Sequence, residues 1–156
     1  MVLIRQATAA DAEILDEMVR ELATHEKSLE HVRVDAAAWR TLLTRRDVRV
    51  LIVEQDSRVL GFASTVRRVH LWTGGDVLAL DDLYVRPGHR GKGLGGRLMA
   101  AVARLADEDE LLVQWGVRLD NHAGQRFYAR LGARLDTKMN ASWTPAQYRR
   151  HLASTR

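Results

Sequence analysis

The chain has 156 residues, 46% of them hydrophobic, which is enough for one domain with a buried core. It contains no cysteine, which excludes disulfides, thiolate metal ligands and a catalytic thiol. The formal net charge is +4, and all but three of the 24 basic residues are arginine, an excess that favours anionic partners.

The sequence predicts no nucleic-acid partner, no metal site and no membrane segment. Acidic and basic residues are interleaved without a long run of Lys or Arg, so we predict no nucleic-acid partner. The six histidines lack the close helical spacing of a metal motif, so we predict no metal site. The opening residues, "MVLIRQATAADAE", contain acids early and no long apolar run, which predicts neither a signal peptide nor a membrane helix and favours a cytoplasmic protein.

The first half of the chain reads as a strand, two helices and a β-hairpin. Apolar residues at helical spacing indicate the first helix, and Thr8 with Asp11 resembles a capping box at its start. Asp35 is placed to cap the second helix. The predicted elements are a strand over 2–6, helices over 9–25 and 36–46, and hairpin strands over 48–54 and 58–70.

The second half alternates strands and helices. Asn121 is the expected N-cap of a short helix that Gly132 ends, and Thr144 and Pro145 are typical of a helix N-terminus. The segment 133–143 can supply a last strand or two. The other predicted elements are strands over 77–85 and 111–117 and helices over 95–108, 121–132 and 144–154. We find no linker or repeat, so residues 1–156 are predicted to form a single domain.

The stretch "RPGHRGKGLGGRLM", residues 86–99, joins a strand to a helix through a glycine-rich turn. This arrangement directs backbone N–H groups and a helix dipole at phosphate oxygens. Gly91, Gly93 and Gly96 match the dinucleotide pattern G-x-G-x-x-G, but too little chain follows for a Rossmann fold. The P-loop pattern fails because Lys92 precedes Gly93 rather than Ser or Thr. A turn that only lets a helix pack closely is the remaining alternative.

Two motifs together resemble the GNAT superfamily of N-acetyltransferases. "LDDLYVRPGHRGKGLGGRLM" is similar to its motif A, whose pyrophosphate loop Q/R-x-x-G-x-G/A corresponds here to residues 90–95, and "LDNHAGQRFYARLGAR" is similar to its later motif. "IRQATAADAEILDEMVRELATHEKSLEHV" with "LDDLYV" resembles the spermidine/spermine-acetyltransferase-like branch. The resemblance implies an α/β (α+β) fold: one mixed, mostly antiparallel sheet flanked by about four helices, with strands four and five splayed apart.

The resemblance also implies acetyl-CoA as co-substrate. The loop backbone and flanking cations would bind its phosphates, and the pantetheine arm would lie between "DLYV" and "QWGV", paired with the backbone of the fourth strand. Asn121 matches a position that contacts the cofactor arm, although a plain helix cap is an equal alternative. The implied cofactor residues are Leu83, Tyr84, Val85, Arg90, Gly91, Lys92, Gly93, Leu94, Gly95, Gly96 and Asn121. Arg86 and Arg97 are interpreted as solvated surface.

In relatives the place of Tyr128 is that of the general acid, which protonates the leaving thiolate; the alternative is a core tyrosine beside Phe127. Asp81 stands where polyamine-acetylating relatives carry glutamate. Aspartate is shorter, so three alternatives stay open: Asp81 takes the proton of the amine directly, takes it through a water, or does not act as the base. Asp82 is interpreted as structural, holding an arginine or a loop N–H, with a secondary place on the substrate side.

Glu26 matches an acceptor-site acid of a relative, with a plain surface glutamate as its alternative. Trp72 and His25 are candidates for the same pocket, and Asp76 is a candidate for its acidic mouth.

These residues favour direct acetyl transfer to a primary amine of a small cationic substrate such as a polyamine or diamine. Aminoglycoside, amino-acid or protein amines are alternatives, and a non-catalytic acyl-CoA sensor is an alternative of another class. The resemblance further implies a homodimer.

Overall fold

The computed structural model describes residues 1–155, and these separate into two units. The first is Met1–Gly116, and the second comprises the described residues from Val117 onward. None of the helices in this described part is both long and apolar enough to cross a bilayer.

The first unit contains a five-stranded sheet in the order β1-β2-β3-β4-β5. Neighbouring strands are antiparallel except β4 and β5, which run parallel, so the predicted mixed, mostly antiparallel sheet is confirmed. The strands are β1 (Val2–Gln6), β2 (Val48–Gln55), β3 (Arg58–Val69), β4 (Asp76–Val85) and β5 (Leu112–Gln114).

Five α-helices are present in the described residues. The first unit carries α1 (Ala12–His25), α2 (Ala36–Leu42) and α3 (Leu94–Asp107), and the second carries α4 (His122–Arg130) and α5 (Pro145–Ser154). Their N-termini follow the local signals in the sequence. The side chain of Asp35 accepts from Ala38 N–H, and the capping box at Thr144 is formed.

The core of the first unit forms where α1 and α2 cover one face of the sheet. Leu15 and Met18 of α1 and Trp39 of α2 pack with Ile52 and Phe62. Helix α3 contacts β2, β3 and β4 and buries its own apolar side, which includes Leu98 and Val102. The three helices of the first unit therefore pack against the central part of the sheet, and β4 is one of the strands that they contact.

Two predicted boundaries are wrong, and one segment that could have supplied a strand does not form one. The second helix ends at Leu42 rather than 46, and the fifth strand covers only Leu112–Gln114 rather than 111–117. No strand forms over 133–143 in the described second unit. A strand requires a paired neighbour, and the second unit contains no other extended element with which this segment could pair.

Helix α1 is tied to β1 by one carboxylate. Asp11, which is 7% exposed, accepts two hydrogen bonds from the Arg5 guanidinium at 2.8 and 2.9 Å and one from Thr8 N–H at 2.8 Å. The Arg5 guanidinium also donates to Glu54 on β2 at 3.0 Å. The hydrogen bonds from Arg5 hold the pKa of Asp11 below its usual range although burial opposes this. The start of α1 is therefore fixed relative to two strands.

We expect Asp11→Ala to lower the free energy of unfolding by about 2 kcal/mol, because it removes the acceptor of Thr8 N–H and leaves Arg5 with Glu54 as its one carboxylate partner. Asp16→Ala is the matched control. It breaks only the i,i+4 pair with Arg20 and should cost less than about 0.5 kcal/mol. Urea unfolding monitored by circular dichroism measures both, and equal losses would contradict this role of Asp11.

Candidate active site

Beyond Ala79, β4 is hydrogen-bonded to a neighbouring strand on one side only. Its parallel pairing with β5 runs only from Val77 to Ala79, whereas its antiparallel pairing with β3 continues to Val85. The predicted splaying of strands four and five therefore begins after Ala79. The C-terminal half of β4 presents an edge without a strand neighbour in the first unit.

The backbone of Leu83 and Val85 faces this open edge. Arg86 N–H donates to Leu60 C=O on β3 at 2.9 Å, so the backbone N–H of Arg86 points toward β3. Because backbone groups alternate in direction along an antiparallel strand, Tyr84 also bonds toward β3, and the residues on either side of it point the other way. Of the three residues predicted to pair with a cofactor arm, Leu83 and Val85 have the suitable backbone direction.

A β-bulge lies in β4 at Asp81. The register pairs Ser64 with Asp82 and Thr65 with Leu80, so Asp81 is the extra residue without a partner on β3. The side chain of Asp81 is exposed, although the protein around it is sufficient to raise its pKa by desolvation. The bulge thus presents a carboxyl group of raised pKa within the sheet.

The neighbouring Asp82 is held by a serine rather than by an arginine or a loop N–H. Ser64 Oγ donates to the Asp82 carboxylate at 3.0 Å and accepts from Asp82 N–H at 3.1 Å. Burial raises the pKa of Asp82, and the negative charges of Asp81 and Glu26 raise it further against the opposing hydrogen bond from Ser64. The structural prediction for Asp82 named the wrong partner.

Glu26 acts on Asp82 through its negative charge. It follows the last turn of α1 as the C-cap residue and is exposed, as is His25 before it. The sequence made Glu26 a candidate acceptor-site acid, and in the structure the electrostatic effect of Glu26 falls on Asp82. The negative charges of Glu26 and Asp81 thus both act on Asp82, and we name Glu26, Asp81 and Asp82 the acidic triad.

Two other predicted substrate-side residues have different surroundings. Trp72 lies in the turn between β3 and β4 and is 95% exposed, so its contact with substrate stays a prediction. Asp76, at the start of β4, is paired with Arg67 at 2.6 Å. The charge of Asp76 is therefore compensated locally.

The glycine loop between β4 and α3 has the conformation that its sequence predicts. A short 3-10 turn, Pro87–His89, is followed by Gly91 and Gly93 with φ of 75° and 77°. These left-handed values favour glycine. Gly93 is the N-cap of α3, and the first helical hydrogen bond runs from Arg97 N–H to Gly93 C=O.

The N-terminus of α3 has no side-chain cap. The N–H groups of residues 93–96 precede the first intrahelical bond, and no capping side chain accepts from them. Lys92 bonds Gly88 C=O at 3.3 Å and is exposed, as Arg97 also is. The donors and the positive helix end together suit a phosphate group.

The prediction that Arg86 is solvated surface is wrong. Its side chain is only 22% exposed and bonds Glu21 of α1 at 2.7 Å, with Glu17 as a further partner. Arg90, by contrast, is exposed, donates from Nε to Val85 C=O at 2.8 Å and stacks on Tyr84.

In the second unit, Asn121 is the predicted N-cap of α4. Its side chain accepts from Gly124 N–H at 2.9 Å. Tyr128 lies on α4 and packs edge to face with Phe127, the ring centroids being 5.2 Å apart. Burial raises the pKa of Tyr128, so its phenol retains the proton at neutral pH.

Residues 13–133 match the Acetyltransferase (GNAT) family. The chain belongs to this family. It is an acetyl-CoA-dependent N-acetyltransferase, as the resemblance implied, rather than a non-catalytic acyl-CoA sensor. GNAT enzymes use acetyl-CoA, and within residues 1–155 no group of three or more His, Cys, Asp or Glu side chains is arranged to hold a metal ion.

Known GNAT proteins match most of the chain. It is 31% identical over 115 residues to a thialysine N-epsilon-acetyltransferase of Sus scrofa, covering 67% of each chain. It is 32% identical over 114 residues to an uncharacterized N-acetyltransferase of Mycobacterium bovis, covering 72% of this chain and 69% of the relative. The structure of AAC(6')-Iy in complex with the bisubstrate analogue CoA-S-monomethyl-acetylneamine has the same fold, with a TM-score of 0.76 and 21% identity over 92% of this chain and 98% of that one.

Sequence reasoning missed Ser64 and Glu21 in this GNAT site. Both carried a weak signal. Ser64 is a polar residue in the strand "GFASTV", and Glu21 falls three residues after Met18 and thus beside the apolar stripe of the first helix. A polar residue at an expected core position is a reason to look for a partner.

We expect Asp82→Asn to raise the stability of this GNAT enzyme at pH 7. A folded-state pKa above the unfolded value means that ionisation of Asp82 opposes folding, and this cost disappears as the pH falls toward the unfolded value near 3.8. The gain should therefore shrink between pH 7 and pH 4. Urea unfolding at several pH values measures it, with the exposed Asp136→Asn as control. A variant less stable than the wild type at pH 7 would refute the assignment.

Proposed function

We propose that this enzyme transfers an acetyl group from acetyl-CoA directly to a primary amine of a small cationic substrate of the polyamine or diamine class. The observation that carries this proposal is the acidic triad, Glu26, Asp81 and Asp82, on a chain whose net charge is +4. Because the triad concentrates negative charge on a positive protein, it favours a substrate with more than one ammonium group.

The first unit supplies groups that fit acetyl-CoA. The N–H groups of residues 93–96 suit a pyrophosphate, and the exposed Arg90 adds positive charge. The backbone groups of Leu83 and the N–H of Val85 suit the amides of an extended pantetheine arm, whereas Val85 C=O already accepts from Arg90 Nε. Asn121 of the second unit is proposed as a further contact of that arm, although its Oδ1 already caps α4.

Acyl transfer needs a neutral amine, and it ends with a thiolate that must gain a proton. We assign the first proton to Asp81, which accepts it from the ammonium group directly or through a water. The amine nitrogen then forms a bond to the thioester carbonyl carbon, and the carbon–sulfur bond breaks. Tyr128 donates its phenolic proton to the departing sulfur. The nitrogen loses its second proton as the amide forms, and this proton replaces, through solvent, the one that Tyr128 gives up. The chain has no cysteine to carry a thioester, which supports transfer within a ternary complex.

A second candidate is an amino acid with a side-chain amine. It is favoured by the 31% identity to a thialysine N-epsilon-acetyltransferase. Such a substrate carries a carboxylate, which the acidic triad would repel, so we rank it below a polyamine or diamine. Aminoglycosides and protein amines follow. We also retain as proposals that the enzyme is a cytoplasmic homodimer.

Gly96→Ala tests the binding of CoA at the loop. A Cβ at Gly96 meets no atom within 4 Å, and alanine favours a helix by about 0.5–1 kcal/mol, so the fold should be unharmed or more stable. If a pyrophosphate lies against residues 93–96, the added methyl group should weaken CoA binding by about tenfold. Isothermal titration calorimetry measures the change in affinity.

Gly75→Ala is the matched control for this substitution. A Cβ at Gly75 also meets open space, but Gly75 lies in the turn between β3 and β4. It should bind CoA as the wild type does. Unchanged affinity in Gly96→Ala would argue against the loop as the pyrophosphate site.

Thiol release from acetyl-CoA across a panel of amines tests the reaction. The panel contains polyamines, diamines, thialysine, aminoglycosides and lysine peptides. We expect turnover to be highest with the polyamine and diamine group and to fall at least tenfold in Tyr128→Phe, while CoA binding is retained. Tyr148→Phe, which changes a tyrosine of α5 in the same unit, is the control. Full activity in Tyr128→Phe would exclude it as the acid, and preferred turnover of another amine class would replace the proposed substrate.

A further inference from the structure

The two arginines that flank the 3-10 turn of the glycine loop are held by different contacts. Arg86, before the turn, is neutralised by Glu21 and Glu17 and also bonds Val59 C=O at 3.3 Å. Arg90, after the turn, forms no ion pair with any residue in 1–155, and its Nε donates to Val85 C=O. Its positive charge is thus available to an anionic ligand.

The guanidinium of Arg90 lies on the ring of Tyr84. Its Cζ is 5.8 Å from the ring centroid, within the range of a cation–π contact. Tyr84 is 4% exposed and packs on Phe62 at a centroid distance of 6.1 Å. A long side chain of the loop therefore rests on an aromatic ring that belongs to the core.

A single carboxylate connects the ring with Arg86. Glu21 accepts from Tyr84 Oη at 2.8 Å and from Nε and Nη2 of Arg86 at 3.2 and 2.7 Å. Burial opposes ionisation of Glu21, but the hydrogen bonds from Arg86 and Tyr84 outweigh it, so its pKa is lowered and the group stays charged. Burial and the bond to Glu21 raise the pKa of Tyr84 to about 12, so it remains a donor.

We propose that Glu21 and Tyr84 are positioning residues of the cofactor site: Glu21 fixes the Tyr84 ring and Arg86, and the ring fixes Arg90 in the orientation that meets the anionic cofactor. This inference rests on the proposed function of the loop. An arginine that is ordered before binding loses less side-chain entropy when the ligand arrives. The contacts of Glu21 should therefore affect acetyl-CoA affinity although Glu21 itself touches no phosphate.

The sign of the effect separates positioning from simple electrostatics. Removing a negative charge near an anion site should strengthen binding of CoA if charge alone matters. Loss of the Glu21 carboxylate should instead weaken it, because the Tyr84 ring and Arg86 lose their common anchor. Glu17 offers the matched comparison, since it lies one turn earlier on α1, is 59% exposed, and contacts Arg86 but is not bonded to Tyr84.

We expect Glu21→Gln to weaken CoA binding by about fivefold in calorimetry and to raise KM for acetyl-CoA more than it lowers kcat. Glu17→Gln should bind CoA as tightly as the wild type or slightly more tightly. In an Arg90→Ala background, which itself weakens binding, Glu21→Gln should have no further effect, because the residue that it positions is gone. Tyr84→Phe, which keeps the ring but removes the anchor, should fall between wild type and Glu21→Gln.

Three results would overturn the proposal: tighter or unchanged CoA binding in Glu21→Gln, equal weakening in both glutamate variants, or additive losses with Arg90→Ala. A general loss of structure in Glu21→Gln is detected by thermal unfolding. It would make the losses of CoA affinity in Glu21→Gln and Arg90→Ala additive. Failure of the wild type to bind CoA would refute the proposed function of the loop itself, and this result is distinct from all three.

Discussion

The one-sided hydrogen bonding of β4 is the constraint on which the other features of this enzyme depend. β4 is paired with β3 along nearly its whole length but with β5 only up to Ala79. An unpaired strand edge is normally a liability in a soluble protein, because its backbone groups seek partners. Here the open edge begins after Ala79, contains the bulge at Asp81 and leads into the glycine loop. The carboxyl group proposed as the base, the exposed backbone and the turn proposed to bind phosphate are thus consecutive along the chain.

Helix α1 contributes a second set of charges, and it does so at two places along β4. Near its end, Glu26 raises the pKa of Asp82, and one turn earlier Glu21 bonds Tyr84 and Arg86. Asp82 and Tyr84 on β4 and Arg86 directly after it are each two residues apart, so their side chains share the face that α1 covers. The two glutamates act in opposite ways. Glu26 adds negative charge that suits an ammonium group. The charge of Glu21 is instead balanced by hydrogen bonds from Tyr84 and Arg86, and its proposed role is to hold these two side chains in place.

Membership of the GNAT family establishes the chemistry but leaves the acceptor to a few side chains. Thialysine and aminoglycoside acetyltransferases have related sequences or the same fold, so the fold alone does not select the amine. We propose that the carboxylates of the acidic triad distinguish acceptors on electrostatic grounds. Their number favours a substrate with several positive charges and disfavours one with a carboxylate.

The sequence by itself determined the features whose causes are local. The caps at Asp35 and Asn121, the left-handed glycines of the loop and the order of strands and helices all follow from residues within a few positions of one another. The tertiary structure alone decided the partners of Asp82, Arg86 and Glu26, and the early end of β5. Ser64 is 18 residues from Asp82 and Glu21 is 65 residues from Arg86, so only the packing of β3 and α1 against β4 brings these groups together. Local propensity carries no information on such pairings, because they depend on strand register and on which helix covers which face.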